Sequence, residues 1–130
     1  MSRLSLRCIK AAFVCLALGL ALGVSFAVHR AYGATLRPLH AELNLWGWTT
    51  LLIYGFGYHM LPRFTGRPLR RPRLADLQSV LAIAGVAVAA LGWAAGAAHL
   101  PYALAVGTVG ASMQVAAVLL FGWQIAELLA

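Results

Sequence analysis

The chain has 130 residues, of which 62% are hydrophobic and 10% charged, and a formal net charge of +7. That apolar share is well above the composition of an ordinary soluble domain, and the length allows one domain. The positive charge is not a nucleic-acid footprint, because no aromatic–basic recognition motif accompanies it.

Four apolar stretches dominate the sequence. About 20 residues of helix cross a hydrocarbon core of about 30 Å. On that measure the predicted spans are about 10–29, 39–62, 74–98 and 101–127. The runs are continuously apolar and rich in Ala, Leu and Gly, not alternating as barrel strands are. The expectation is an all-α fold, an integral membrane bundle of four transmembrane helices forming a single domain over 1–130.

The first span follows Arg3, Arg7 and Lys10. Ser25-Phe26-Ala27 is a passable cleavage site, but the apolar run is longer than a usual signal core, so a retained anchor is expected. Cys8 and Cys15 are seven apart on one helix face, cannot pair with each other, and read as small buried thiols. Gly19 and Gly23 make a GxxxG face for close helix approach.

The link from Arg30 to Arg37 is read as a turn, with Pro38 in the first turn of the next helix. The second span runs from about Leu39 to Pro62, where the proline is expected to end it. Arg63, Arg67, Arg70, Arg71 and Arg73 follow, with Pro68 and Pro72 keeping the loop irregular. The third span is expected near Leu74, with Asp76 in its first turn and Gly92 and Gly96 as a second GxxxG pair. The fourth starts at Pro101 and carries a small-residue stripe at Ala103, Gly107 and Ala111. Those small-residue faces predict self-association or docking into a larger complex. Trp46, Trp48, Trp93 and Tyr102 read as the outer aromatic belt, and Tyr58 and Trp123 as the inner one.

Eight of the ten basic residues precede the first span or lie between the second and third; only Arg30 and Arg37 lie elsewhere. Short loops rich in Lys and Arg stay cytoplasmic. Both termini are therefore expected inside, in a bacterial inner membrane, with the lipid bilayer as the first partner and no nucleic acid.

A histidine beside hydrocarbon is costly and marks a candidate functional position. His29, His40 and His99 fall at the outer boundary. His59 lies about 28 Å further along the helix, at 1.5 Å per residue, and cannot share a metal ion with His40. His40 is the leading candidate for an axial haem ligand, because neutral imidazole suits haem iron. His29 and His99 are weaker candidates. Asn44 lies one turn deeper on the face of His40, and Gly47 two turns deeper. A flat macrocycle needs a helix surface without a side chain, and Gly47 offers one; the alternative is that the glycine serves helix packing. Gln114 is expected to hydrogen-bond a neighbouring helix, Met113 to be core, and Glu127 to be solvated.

The stretch from His40 to Pro62, HAELNLWGWTTLLIYGFGYHMLP, resembles the second helix of subunit I of haem–copper oxidases. There a histidine near the outer end binds the low-spin haem, and a GFG-x-x-L-x-P-like pattern closes the helix. His40 stands at the first position and Gly55-Phe56-Gly57-Tyr58-His59-Met60-Leu61-Pro62 at the second. Arg73-Leu74-Ala75-Asp76-Leu77 resembles the opening of the third helix. HAELNLWGW is also similar to the HAHLNLLGW-type motif of small membrane proteins related to that subunit, with Glu42 where those often carry a second histidine. HAE followed by Thr-Gly-Arg-Pro resembles the NnrS family of haem- and copper-containing membrane proteins. The resemblance implies a b-type haem on His40 and a link to respiratory electron transfer. The copper and active-site haem ligands of the family have no counterpart in this sequence, so a complete oxidase is not implied. The alternative expectation is a non-catalytic accessory or assembly partner of a respiratory membrane complex, without cofactor.

Overall fold

The computed structural model describes residues 2–130, and no strand occurs among them. The helices are α1 (Arg3–Val28), α2 (Arg30–Ala41), α3 (Leu51–Thr65), α4 (Pro72–Ala97) and α5 (Ala103–Leu129), with a π-helical segment, Glu42–Thr50, between α2 and α3. Three of them, α1, α4 and α5, are long and apolar enough to cross a membrane. Their outward faces carry bare apolar side chains: Leu20, Leu91, Leu104 and Leu119 are all more than half exposed. A soluble monomer does not display apolar surface on that scale. The expected span over 39–62 is helical throughout, but α-helix and π-helix share it.

Several boundaries differ from the sequence reading. The expected turn over Arg30–Arg37 is helical, so α2, the π-segment and α3 run on as one rod. Ser2 caps α1, its hydroxyl accepting from the Ser5 N–H at 3.1 Å, and His29 is the residue at which α1 ends and α2 begins. Pro38 lies inside α2 and Pro62 inside α3, not at their ends. Apolar helices tolerate such prolines because local π winding and Ser or Thr side chains satisfy the freed backbone groups. The π-helical segment follows Pro38 from Glu42, and beyond Pro62 the Thr65 hydroxyl donates to Leu61 O at 2.9 Å. The rod stops at Gly66, which adopts a left-handed φ of 65°, the usual glycine stop. α4 starts at Pro72, earlier than expected, and so moves Asp76 out of the first turn. α5 starts at Ala103, with Pro101 in the preceding turn.

Packing follows the small residues. α1 runs antiparallel to the rod, and their contacts step in opposite directions. Gly23 faces His40, Gly19 faces Asn44, Gly47 faces Cys15, and Gly55 faces Ile9 and Cys8. α4 and α5 form a tight hairpin in which Gly92 meets the backbone of Gly107 and Gly85 meets Met113 and Gln114. Gly19, Gly23 and Gly92 thus each meet a neighbouring helix of the same chain. The core joins Cys8 and Ala12 of α1, Leu51 and Tyr54 of α3, Ala82 and Val86 of α4, and Ala117 of α5. Cys8 and Cys15 are both free thiols.

Polar contacts gather one set of helix ends. Arg7 donates to Asp76 Oδ1 at 2.6 Å and to Ser79 Oγ at 2.5 Å. Arg71 pairs with Glu127 at 3.5 Å and lies 4.8 Å over the Trp123 ring. Glu127, expected to be solvated, is partly exposed and paired with Arg71. Tyr58, expected in the inner aromatic belt, is packed inside the bundle at this end. It is buried, accepts from Gln124 Nε2 at 3.0 Å, and packs edge-on against Phe121. These contacts bring both chain termini and the arginine-rich loop to the same end of the molecule. The Arg7–Asp76 pair is 39% and 63% exposed, so water screens it. Arg7→Met is expected to cost no more than about 1 kcal/mol, read as a small shift in thermal unfolding in detergent.

Candidate functional site

His40 is the last-turn residue of α2, and its ring is half-buried against α1. Nδ1 lies 2.9 Å from Gly19 O. A carbonyl only accepts, so Nδ1 carries the proton and Nε2 holds the free lone pair of the neutral ring. Asn44 braces the same turn, its Nδ2 donating to His40 O at 2.8 Å. Phe26 of α1 meets the imidazole edge-on at 5.4 Å between centroids. Gly19 and Gly23 make this seat possible. A Cβ at Gly19 would stand 2.5 Å from Asn44 Nδ2, and one at Gly23 would stand 3.2 Å from His40 Cε1. The GxxxG face of α1 is therefore the socket of the His40–Asn44 pair.

His40, Asn44 and Gly47 share a face, as their spacing predicts, but that face looks onto α1. A Cβ on Gly47 would lie 2.5 Å from Cys15 Cβ and 2.7 Å from its Sγ, with Val86 of α4 next at 3.4 Å. Gly47 is a close-packing glycine, and the flat seat for a macrocycle expected there is filled by protein. Gly55 and Gly57 are filled too, the first by α1 and the second by Phe121 of α5.

The other histidines are not drawn into this cluster. His29 stacks obliquely on Tyr32 at 5.2 Å. His99 sits in the α4–α5 turn with a left-handed φ of 56°, an uncommon conformation for a non-glycine residue. His59 accepts from Arg63 at 2.8 Å, at the far end of the rod. Among the described residues no three His, Cys, Asp or Glu side chains converge as a metal-binding group.

The sequence reading passed over one residue. Glu42, two positions after His40, points away from α1 toward the α4–α5 hairpin. It is 7% exposed, and its carboxyl is hydrogen-bonded by the Gln114 side-chain amide. Gln114 thus reaches a neighbouring helix, as expected. The signal for Glu42 was present in the sequence: it is the one acidic residue in the span over 39–62, where Asp76 and Glu127 lie near the ends of theirs. An acid at such a depth is a candidate functional group in its own right.

The fold and these two polar centres define an all-helical protein with three helices long and apolar enough to cross a membrane. The chain matches no protein-family model, no characterised protein and no solved structure.

Proposed function

We propose that the chain is a four-span inner-membrane protein, its termini and arginine-rich loop cytoplasmic, that holds a b-type haem on His40 and serves respiratory electron transfer. The observation that carries this reading is the Nδ1 bond to Gly19 O. Ligating histidines commonly donate their second ring nitrogen to a backbone carbonyl, which fixes the tautomer and turns the other nitrogen to the metal. His40 fits as a ligand; Gly47 does not fit as the macrocycle's seat. The cofactor would therefore lie outside the α1–rod seam, with its second ligand from His29, His99 or the same histidine of a second copy. A haem held this way would supply one-electron exchange, with a potential set by its axial ligands. The chain's own part is to fix the imidazole: Gly19 O orients it, Asn44 braces its backbone, and Phe26 limits its rotation. Without a CxxCH motif no covalent attachment is expected.

Protein expressed with ample haem is expected to show a Soret band, which His40→Ala loses or shifts and His59→Ala leaves unchanged. A colourless wild type overturns the haem reading. One observation favours a second reading: His40 already closes a helix seam and Gly47 is packed shut. On that reading the chain is a cofactor-free accessory or assembly partner of a respiratory membrane complex. The topology has its own test. A reporter fused after Ala130 is expected to be active only as a cytoplasmic fusion, because eight of the ten basic residues lie toward that end. A periplasmic reporter reverses the orientation.

A further inference from the structure

The chain has three acidic residues. Asp76 is paired with Arg7 and Glu127 with Arg71. Glu42, the most deeply buried of them, has no cationic partner among the described residues; its bonded neighbour is the neutral amide of Gln114. Trp93 lines the same cavity as this carboxyl.

This carboxyl lines a cavity of about 510 Å³ between the rod and the α4–α5 hairpin. Trp46 and Trp93 are its aromatic lining residues, and Gln114 lines it beside Glu42. Leu104 and Val115, 83% and 55% exposed, are among its lining residues, so the cavity is open to the apolar outer surface of α5. No Lys, Arg or His lines it. The volume lies within the usual range for small-molecule sites, about 300–1,000 Å³.

Those walls have one chemical preference. A carboxyl in low dielectric that ionises opposite a bound cation attracts it far more strongly than it would in water. Indole faces add a further attraction for a cation over the ring, which grows once the cation is desolvated. The apolar mouth selects for a ligand that already partitions into hydrocarbon. A small hydrated metal ion is disfavoured, because one carboxylate and one amide do not replace its hydration shell. We propose that the Glu42 cavity is a binding site for a lipophilic organic cation that enters from the bilayer. Glu42 supplies the counter-charge, Trp46 and Trp93 the aromatic walls, and Gln114 holds the carboxyl in place. The site is separate from His40, which faces α1, and does not depend on haem.

The test uses the full chain in a neutral maltoside detergent, with tetraphenylphosphonium as probe and tetraphenylborate as its counterpart of similar shape and opposite charge. Titration calorimetry and tryptophan fluorescence are expected to show saturable, one-to-one binding of tetraphenylphosphonium and none of tetraphenylborate. Glu42→Gln keeps the size and the Gln114 contact but removes the charge, and is expected to weaken binding about tenfold or more. Trp93→Phe is expected to weaken it and to reduce the fluorescence response. Equal binding of both ions, or of the phosphonium by wild type and Glu42→Gln, would mean partition into apolar surface and overturn the proposal. No saturable binding to the wild type overturns it as well. Should Glu42→Gln fail to elute as a folded species, the comparison of the two ions on the wild type still decides.

Discussion

Gly92→Ala is expected to destabilise the protein by about 1–3 kcal/mol, the usual cost of forcing extra methyl volume into a well-packed interface, and Gly92→Leu by more. The reason is geometric. A Cβ on Gly92 would stand 2.5 Å from both Cα and N of Gly107 and 3.3 Å from Ala103 O. All three are backbone atoms, so no rotamer change relieves the clash; α4 and α5 must move apart. Their hairpin also holds Gln114 against Glu42 and closes one side of the core, so the separation spreads beyond the contact. Neighbouring glycines are the controls. The Cβ of Gly107→Ala would lie 3.9 Å from Gly92, that of Gly96→Ala 3.8 Å from Ala103, and that of Gly122→Ala would have nothing within 4 Å. Those three replacements are expected to be neutral, or stabilising by up to about 1 kcal/mol, because alanine is the better helix former. Unfolding of detergent-solubilised protein by titration with a denaturing detergent measures all four. Equal loss at Gly92 and Gly96 would show that the GxxxG pair acts as a unit and that the Gly92–Gly107 contact is not the critical one.

That contrast also shows how far the sequence could be read. The spacing of Gly92 and Gly96 announces a close-packing face, yet it does not say which glycine touches backbone or which helix supplies the partner. The partner is the next helix of the same chain, because the turn at Leu100 is too short to let α5 pack anywhere else. For the same reason the small residues of α1 were visible but their occupants were not: Gly19 and Gly23 receive Asn44 and His40 from a rod more than fifteen residues away. The spans over 10–29, 74–98 and 101–127 were legible because hydropathy integrates over many residues and a wrong guess at one residue costs little. Boundaries were not, since Pro38 and Pro62 lie inside helices rather than at their ends, which proline chemistry read along one chain does not foresee. The face shared by His40, Asn44 and Gly47 was predicted correctly. What fills it was not, because periodicity gives relative direction along one helix and nothing about the neighbour. The role of Glu42 was not legible for a different reason: its buried hydrogen-bond partner, Gln114, lies 72 residues later.

The Glu42–Gln114 pair should therefore behave as a unit, and a double-mutant cycle is expected to show it. Gln114→Leu leaves a buried carboxyl without its donor, at a cost of about 1–3 kcal/mol. Glu42→Leu leaves the Gln114 amide, 4% exposed, without its acceptor, at a similar cost. Replacing both removes both unsatisfied groups together, and apolar pairs of similar volume are often nearly neutral in such places. The double variant is expected to lose less than the sum of the two single losses, with a coupling energy of about 1–2 kcal/mol, toward the upper end of what hydrogen bonds between membrane helices contribute. The same detergent-denaturation measurement gives all four corners of the cycle. Strictly additive losses would mean that the two side chains are independent and that the bond does not tie the rod to the hairpin. The two polar centres lie on opposite faces of one rod, only two residues apart in sequence, and the π-segment that begins at Glu42 is where the chain turns from one to the other.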